Sequence, residues 1–112
     1  MRELEQKKLM ERMQQSAFAR NNGVVLKAIN LLRDKYVALE DICHALEPSM
    51  TEAEFRDAVN YLTECGYIRL RETETKQLTT LADTPMHALE AKVTADGIRI
   101  IACVRKDECI DV

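Results

Sequence analysis

The residues of this chain with the richest chemistry are two histidines and four cysteines, spread as Cys43-His44, Cys65, His87, Cys103 and Cys109. Tetrahedral zinc sites draw on cysteines paired at short spacing, typically two to four residues apart. No such pair occurs here, so neither a finger nor a ribbon is expected, and no metal or other cofactor. The chain also has no Gly-rich phosphate loop, no H-E-x-x-H segment and no serine-centred triad motif. We expect no catalytic residue and no enzyme. Cys43 sits on an apolar helix face and Cys65 just before a helix-ending glycine, so both are expected to be core thiols.

A second set of side chains could meet nucleic acid. Arg56 and Asn60 have the donors and acceptors for paired hydrogen bonds to guanine and adenine. Arg69, Arg71 and Lys76 follow on a strand and loop from which cations reach phosphates. Opposing charges stand among them. Glu52, Glu54, Asp57 and Glu64 outnumber Arg56 over residues 52–65, and Glu72 and Glu74 interleave with the later cations. The chain carries a net charge of −3, whereas binding to phosphates draws on a basic surplus. Alternating charges also keep an edge strand soluble without any partner. Double-stranded DNA and a protein partner are therefore both expectations.

A third set is apolar. Leu4, Leu9, Met13 and Ala17 read as one stripe of a helix over residues 1–20, with Met10 and Phe18 beside it. Arg2, Lys7, Lys8, Arg12 and Arg20 make this helix locally positive despite Glu3, Glu5 and Glu11. Alone, the helix cannot bury its stripe. The expected cover is a second copy of the chain, giving a homodimer through the N-terminal helix.

The elements that must position these residues are legible from periodicity. Asn21-Asn22-Gly23 breaks the first helix, and Asn22 would cap a second over residues 24–34 with Val25, Ala28, Ile29 and Leu32 buried. Tyr36-Val37-Ala38 is a short strand. Residues 39–46 form a helix with Leu39, Ile42, Cys43 and Leu46 inward, stopped by Pro48. Thr51-Glu52-Ala53-Glu54 is a capping box, followed by Phe55, Ala58, Val59 and Leu62 at helical spacing and by Gly66 at C′. Outward, this helix would show Ala53, Arg56, Asp57, Asn60, Tyr61 and Glu64.

Tyr67 to Arg71 alternates as a half-buried strand. Residues 72–86 form a polar loop with a short strand over residues 77–81. His87 to Val93 returns as a strand, with Ala88, Glu90 and Lys92 on its polar side. Residues 94–104 fit either an Asp96-Gly97 hairpin or a helix capped by Thr94. The tail over residues 106–112 is expected to be loose. The division is thus an N-terminal helix (1–21), a core domain (22–105) and a tail (106–112).

This order resembles a winged helix-turn-helix. Leu62-Thr63-Glu64-Cys65-Gly66-Tyr67-Ile68 is similar to the end of a winged-helix third helix. Ala91-Lys92-Val93-Thr94-Ala95-Asp96-Gly97-Ile98 resembles the step by which MarR-, PadR- and ArsR-like regulators leave the wing for their next helix. The layout also looks like that of small winged-helix proteins of Mu-like phages. The resemblance covers residues 22–104 and favours the helix for residues 94–104. It implies an α+β, mainly α fold: three helices and a β-hairpin wing, with the N-terminal helix added. It also implies DNA binding and transcription regulation, with residues 52–65 as the recognition helix. The alternative function is a protein-interaction or assembly module that binds no DNA.

Composition sets the outer bounds. With 112 residues there is room for one modest core and no separate catalytic domain. Aromatics are 4% of the chain, so the core must rest on aliphatic side chains and methionine. No apolar run approaches the length that crosses a bilayer, and the charged start lacks the apolar stretch of a secretory signal. A cytoplasmic protein with reduced thiols is expected.

Overall fold

One helix occupies the first quarter of the chain in the computed structural model, which describes residues 2–112. Helix α1 runs from Arg2 to Asn30 without interruption, so the expected break at Asn21-Asn22-Gly23 is absent. These three residues meet tertiary partners that outweigh their poor helix propensity. Asn21 Nδ2 donates to Glu54 Oε2 at 3.1 Å, and Asn22 Nδ2 donates to the Cys109 carbonyl at 2.9 Å. Asn22 is therefore a buried side chain inside a helix and not a cap. Gly23 lets the tail approach: a Cβ there would stand 1.8 Å from the Asp111 carbonyl oxygen. The helix stops at Asn30, four residues before the expected end, and Leu32 is 52% exposed where burial was expected.

Strand β1 (Val37–Ala38) leads into α2 (Leu39–Leu46), whose Leu39, Ile42 and Cys43 are buried as expected. Helix α3 spans Glu52–Glu64. Its capping box is complete, since Glu54 N–H donates to Thr51 Oγ1 and Thr51 N–H donates to Glu54 Oε1. Phe55, Ala58, Val59 and Leu62 turn inward, and Phe55 is among the largest fully buried side chains. Gly66 follows with φ +79°, the left-handed conformation that closes a helix cheaply only in glycine. Cys65 departs from expectation. It is the C-cap of α3 and lies exposed, because the helix turns its last residues away from the core.

Strands β2 (Ile68–Glu72) and β3 (Leu89–Val93) pair antiparallel from Ile68↔Val93 to Glu72↔Leu89. Val37↔Ala91 adds β1 on the other side, giving a three-stranded antiparallel sheet in the order β1-β3-β2. Within residues 77–81 the expected strand shrinks to one bridge, Arg71↔Leu78. The returning strand begins at Leu89, two residues late, because Met86–Ala88 form a 3₁₀ turn after Pro85.

Residues 95–101 resolve as helix α4. Thr94 Oγ1 accepts from Gly97 N–H at 3.1 Å, while its own hydroxyl donates to the Gly66 carbonyl at 2.6 Å. One threonine thus starts α4 and ties it to the end of α3. The Asp96-Gly97 pair makes no hairpin. Gly97 is instead required by packing, because a Cβ there would lie 2.2 Å from the Tyr67 carbonyl oxygen.

The tail is not loose. Ile110 is buried, Asp111 N–H donates to the Ala19 carbonyl, and the Asp107 carboxylate collects three donors. The fold is α+β and mainly α, with one core running from the second half of α1 through α2 and α3 to the sheet and α4. No helix among the described residues is long and apolar enough to cross a membrane.

Candidate functional site

Two surfaces hold the side chains singled out from the sequence. The first is the N-terminal half of α1. Every described residue from Arg2 to Ser16 is exposed. Leu9, Met10 and Met13 are each at least 60% exposed, so this stretch stands clear of the body as an arm of about 22 Å. Fifteen helical residues without tertiary cover are marginal in water.

The apolar stripe is narrower than the sequence suggested. The five-residue step from Leu4 to Leu9 turns the helix by about 140°, which takes Leu4 off the face shared by Leu9, Met13 and Ala17. Met10 joins that face instead, three residues before Met13. Ala17 and Phe18 are half-buried where the arm meets the body. There Phe18 packs edge-on against Tyr61 with ring centroids 5.3 Å apart. Tyr61 was expected on the outer face of α3, but it closes the joint between α1, α3 and the tail.

Charge divides between arm and body. Residues 1–20 hold five basic and three acidic side chains, while the remaining chain holds eleven basic and sixteen acidic.

The second surface comprises α3 and the β2–β3 hairpin, and its cations do not converge. Arg56 is half-buried in a groove of about 540 Å³ between α2, the start of α3 and Met86–His87. Glu40, Glu47 and Glu52 line the same groove. Asn60 is exposed on α3. Arg69 is exposed on β2 and borders a different groove, of about 470 Å³, with Thr63, Leu78 and Arg99.

Arg71 and Lys76 share one partner, Glu90. The Arg71 guanidinium also lies 3.5 Å above the Tyr36 ring. Burial pushes the Glu90 carboxyl up, but hydrogen bonds and charge from Arg71 and Lys76 outweigh it and hold the group below the usual carboxylate range. Glu90 was expected on the polar side of its strand and is only 9% exposed, with Arg71 directly across the hairpin and Lys76 both bonded to its carboxylate.

The N-terminus of α3 offers little to an anion. Thr51 and Glu54 already occupy its first donors, and the Thr51 amide holds the Glu54 carboxyl below its ordinary pKa. Burial, and then the charges of Glu52 and Glu47, push the Cys43 thiol up, which keeps it an unreactive core residue. Among the described residues no group of three or more His, Cys, Asp or Glu side chains could hold a metal ion.

Sequence reasoning passed over Tyr36, Glu90 and Asp107. Tyr36 and Glu90 carried a faint signal in their alternation with neighbouring apolar residues. Asp107 carried none, because its partners are 40 and 46 residues away. Comparison with protein-family models, curated proteins and solved structures finds no match for this chain.

Proposed function

We propose that this chain is a winged-helix module that works through protein contacts, and that the projecting half of α1 joins it to a second copy of itself. The observation that carries the reading is the uncovered arm: Leu9, Met10 and Met13 lie on the half of α1 whose described residues, Arg2 to Ser16, are all exposed. Its charges are mixed, five basic and three acidic over residues 1–20, so the apolar face must carry the pairing. Glu3 and Glu5 lie in the first turns, while Arg12 and Arg20 lie further along. Two arms laid antiparallel, rather than parallel, bring Glu3 and Glu5 of each toward Arg12 and Arg20 of the other. Such an arrangement is two-fold symmetric and closes on itself.

The winged-helix reading rests on the order of elements, a helix-strand-helix-helix core followed by a hairpin and α4. Protein contact is favoured over DNA because Arg71 and Lys76 are committed to Glu90, and Arg56 shares its groove with three acidic residues. Sedimentation equilibrium of the full chain tests the proposal. The expected result is a dimer that becomes a monomer in Leu9→Glu/Met13→Glu with the fold intact. A monomeric parent protein at high micromolar concentration would sink it.

A second reading, a DNA-binding regulator, draws on Asn60 and Arg69, which are exposed on α3 and β2. It predicts anisotropy-detected binding to mixed-sequence duplex that weakens steeply with salt and is lost with Arg69→Ala.

A further inference from the structure

Strand β2 lies at one edge of the sheet, and part of its outer side has no partner. Thr94 N–H donates to the Tyr67 carbonyl at 2.9 Å, so the backbone groups of Tyr67, Arg69 and Arg71 face β3. Those of Ile68, Leu70 and Glu72 face outward. The segment that follows β2 meets two of them. Thr79 N–H donates to the Leu70 carbonyl at 3.2 Å, and Glu72 N–H donates to the Gln77 carbonyl at 2.9 Å. At Thr80 the chain turns away, since the amides of Asp83 and Thr84 both donate to the Thr80 carbonyl. The Ile68 N–H and carbonyl are left, and among the described residues no backbone hydrogen bond reaches either. Ile68 is only 2% exposed, so the two groups are shielded from water as well as unpaired, a costly state. The groove of about 470 Å³ that Arg69 borders is also lined by Ile68 and Thr79.

Charge marks the same place. Arg69 stands directly opposite Lys92 across the hairpin, and like charges so placed repel. One pair along, Arg71 faces Glu90 on one side and Leu78 on the other. Among the described residues neither Arg69 nor Lys92 enters an ion pair. On its far side Lys92 meets the Tyr36 ring, 6.0 Å from its Nζ, and not an acid. On the far side of Arg69 lies the position that the turn at Thr80 leaves open.

The geometry points to this edge as a docking site for an extended, acidic segment of a partner protein, added to β2 as a further strand. One residue of that segment exchanges both backbone hydrogen bonds with Ile68. Its neighbour lies opposite Arg69, where an Asp or Glu shares a face with Arg69 and Lys92 and relieves their repulsion. The residue paired with Ile68 turns its side chain the other way, into the groove. A second copy of β2 fits poorly, since it carries a further Arg69 and Lys92 to the same place. The site uses no residue of α1 and operates whether or not two arms pair.

The experiment selects a displayed library of random peptides on the full chain. Synthetic copies of the enriched sequences are then followed by fluorescence anisotropy and by amide chemical shifts. Enriched peptides are expected to carry Asp or Glu among β-prone residues, to shift the Ile68 and Arg69 amides most strongly, and to lose affinity when N-methylated at alternate residues. Arg69→Glu and Lys92→Glu should each weaken binding by about tenfold or more. Each also replaces a like-charge pair with an ion pair across the hairpin, so its thermal midpoint should match or exceed the parent's. That separates lost docking from lost fold. Enrichment without acidic residues, shifts centred elsewhere, either variant binding like the parent, or a lower midpoint in both would overturn the proposal. So would mixed-sequence DNA that displaces the peptides from this edge, since Arg69 and Lys92 would then serve phosphates.

Discussion

The Tyr61 hydroxyl donates to the carboxylate of Asp107, 46 residues further along the chain, and the Tyr67 hydroxyl donates to the same carboxylate at 2.8 Å. These bonds turn the last ten residues into a strap across α1 and α3. Burial and the Asp107 charge push the Tyr67 phenol up to about 12 and raise Tyr61 as well, so both phenols remain donors throughout the working range of pH. Burial pushes the Asp107 carboxyl up as well, toward protonation. The Cys109 amide, Tyr67, Tyr61 and Arg105 together outweigh it and hold the carboxyl below its ordinary pKa.

The strap makes stability depend on acid. A carboxyl whose folded pKa is depressed stabilises the fold above its unfolded pKa, and that contribution is lost as pH falls through the folded value. Asp107 and Glu90 both have this sign. Urea unfolding should therefore show a plateau at neutral pH and a decline beginning near the ordinary carboxylate value of about 4. Asp107→Asn should lower the plateau by about 1–2 kcal/mol and flatten the decline. An unchanged acid slope in that variant would remove Asp107 from the account.

The glycines separate three kinds of requirement. Gly97→Ala drives a Cβ into the Tyr67 carbonyl oxygen, backbone against backbone, and should cost about 3 kcal/mol or more. Gly23→Ala meets the Asp111 carbonyl even more closely. There the tail can lift, so the expected outcome is a folded body with faster amide exchange over residues 107–112. Gly66→Ala has open space around it and φ +79°, leaving only the left-handed penalty of about 1–2 kcal/mol. Thermal unfolding of the three variants should rank Gly97→Ala as the most damaging to the body.

These positions also mark how far the sequence was legible. Thr51 and Glu54, Phe55 to Leu62, Gly66 and the helix from Leu39 to Leu46 follow local rules, and each stands where periodicity and capping put it. Asn21-Asn22-Gly23 misleads for a physical reason. Local chemistry reads as a break, yet Glu54, Cys109 and Asp111 supply distant partners that reward a continuous helix. The tail misleads in the same way, since nothing near Asp107 announces two tyrosines far upstream. Leu4 lies about 140° round the helix from Leu9, and Cys65, though near the buried stripe in rotation, stands one turn past Leu62, the last buried residue of α3. The surface cations were found, but their partners were not. That Arg71 and Lys76 converge on Glu90 depends on the pairing register of β2 with β3, which periodicity does not fix.

The Glu90 cluster should behave as one unit. Arg71 sits directly opposite Glu90 across the hairpin and stacks on Tyr36. Arg71→Ala leaves a nearly buried carboxylate with only the exposed Lys76 for company. The expected cost is about 1–3 kcal/mol. Glu90→Gln should cost less than Arg71→Ala, because its neutral amide still accepts from the guanidinium and needs no counter-charge. A double-mutant cycle should return a coupling of about 1 kcal/mol or more. Additive effects would mean that the two side chains act independently.

The arm yields the sharpest test of surface against fold. Met13 lies on the exposed face with Leu9 and Met10, while Leu4 lies about 140° away from Leu9. Met13→Glu should therefore lower the solution mass toward that of one chain, while Leu4→Glu should leave association within about threefold of the parent. Neither substitution touches the core, so both proteins should keep the parent's near-identical chemical unfolding of the body once measured as monomers. Salt supplies a second axis. If Glu3 and Glu5 of one arm face Arg12 and Arg20 of the other, raising the salt from 50 to 500 mM should weaken association modestly, because exposed pairs are screened over about 10 Å or less. Reversal of charge at Arg12 should weaken it further, and Glu3→Lys combined with Arg12→Glu should restore it. Failure of that paired reversal, with single reversals harmful, would place the arms in another orientation.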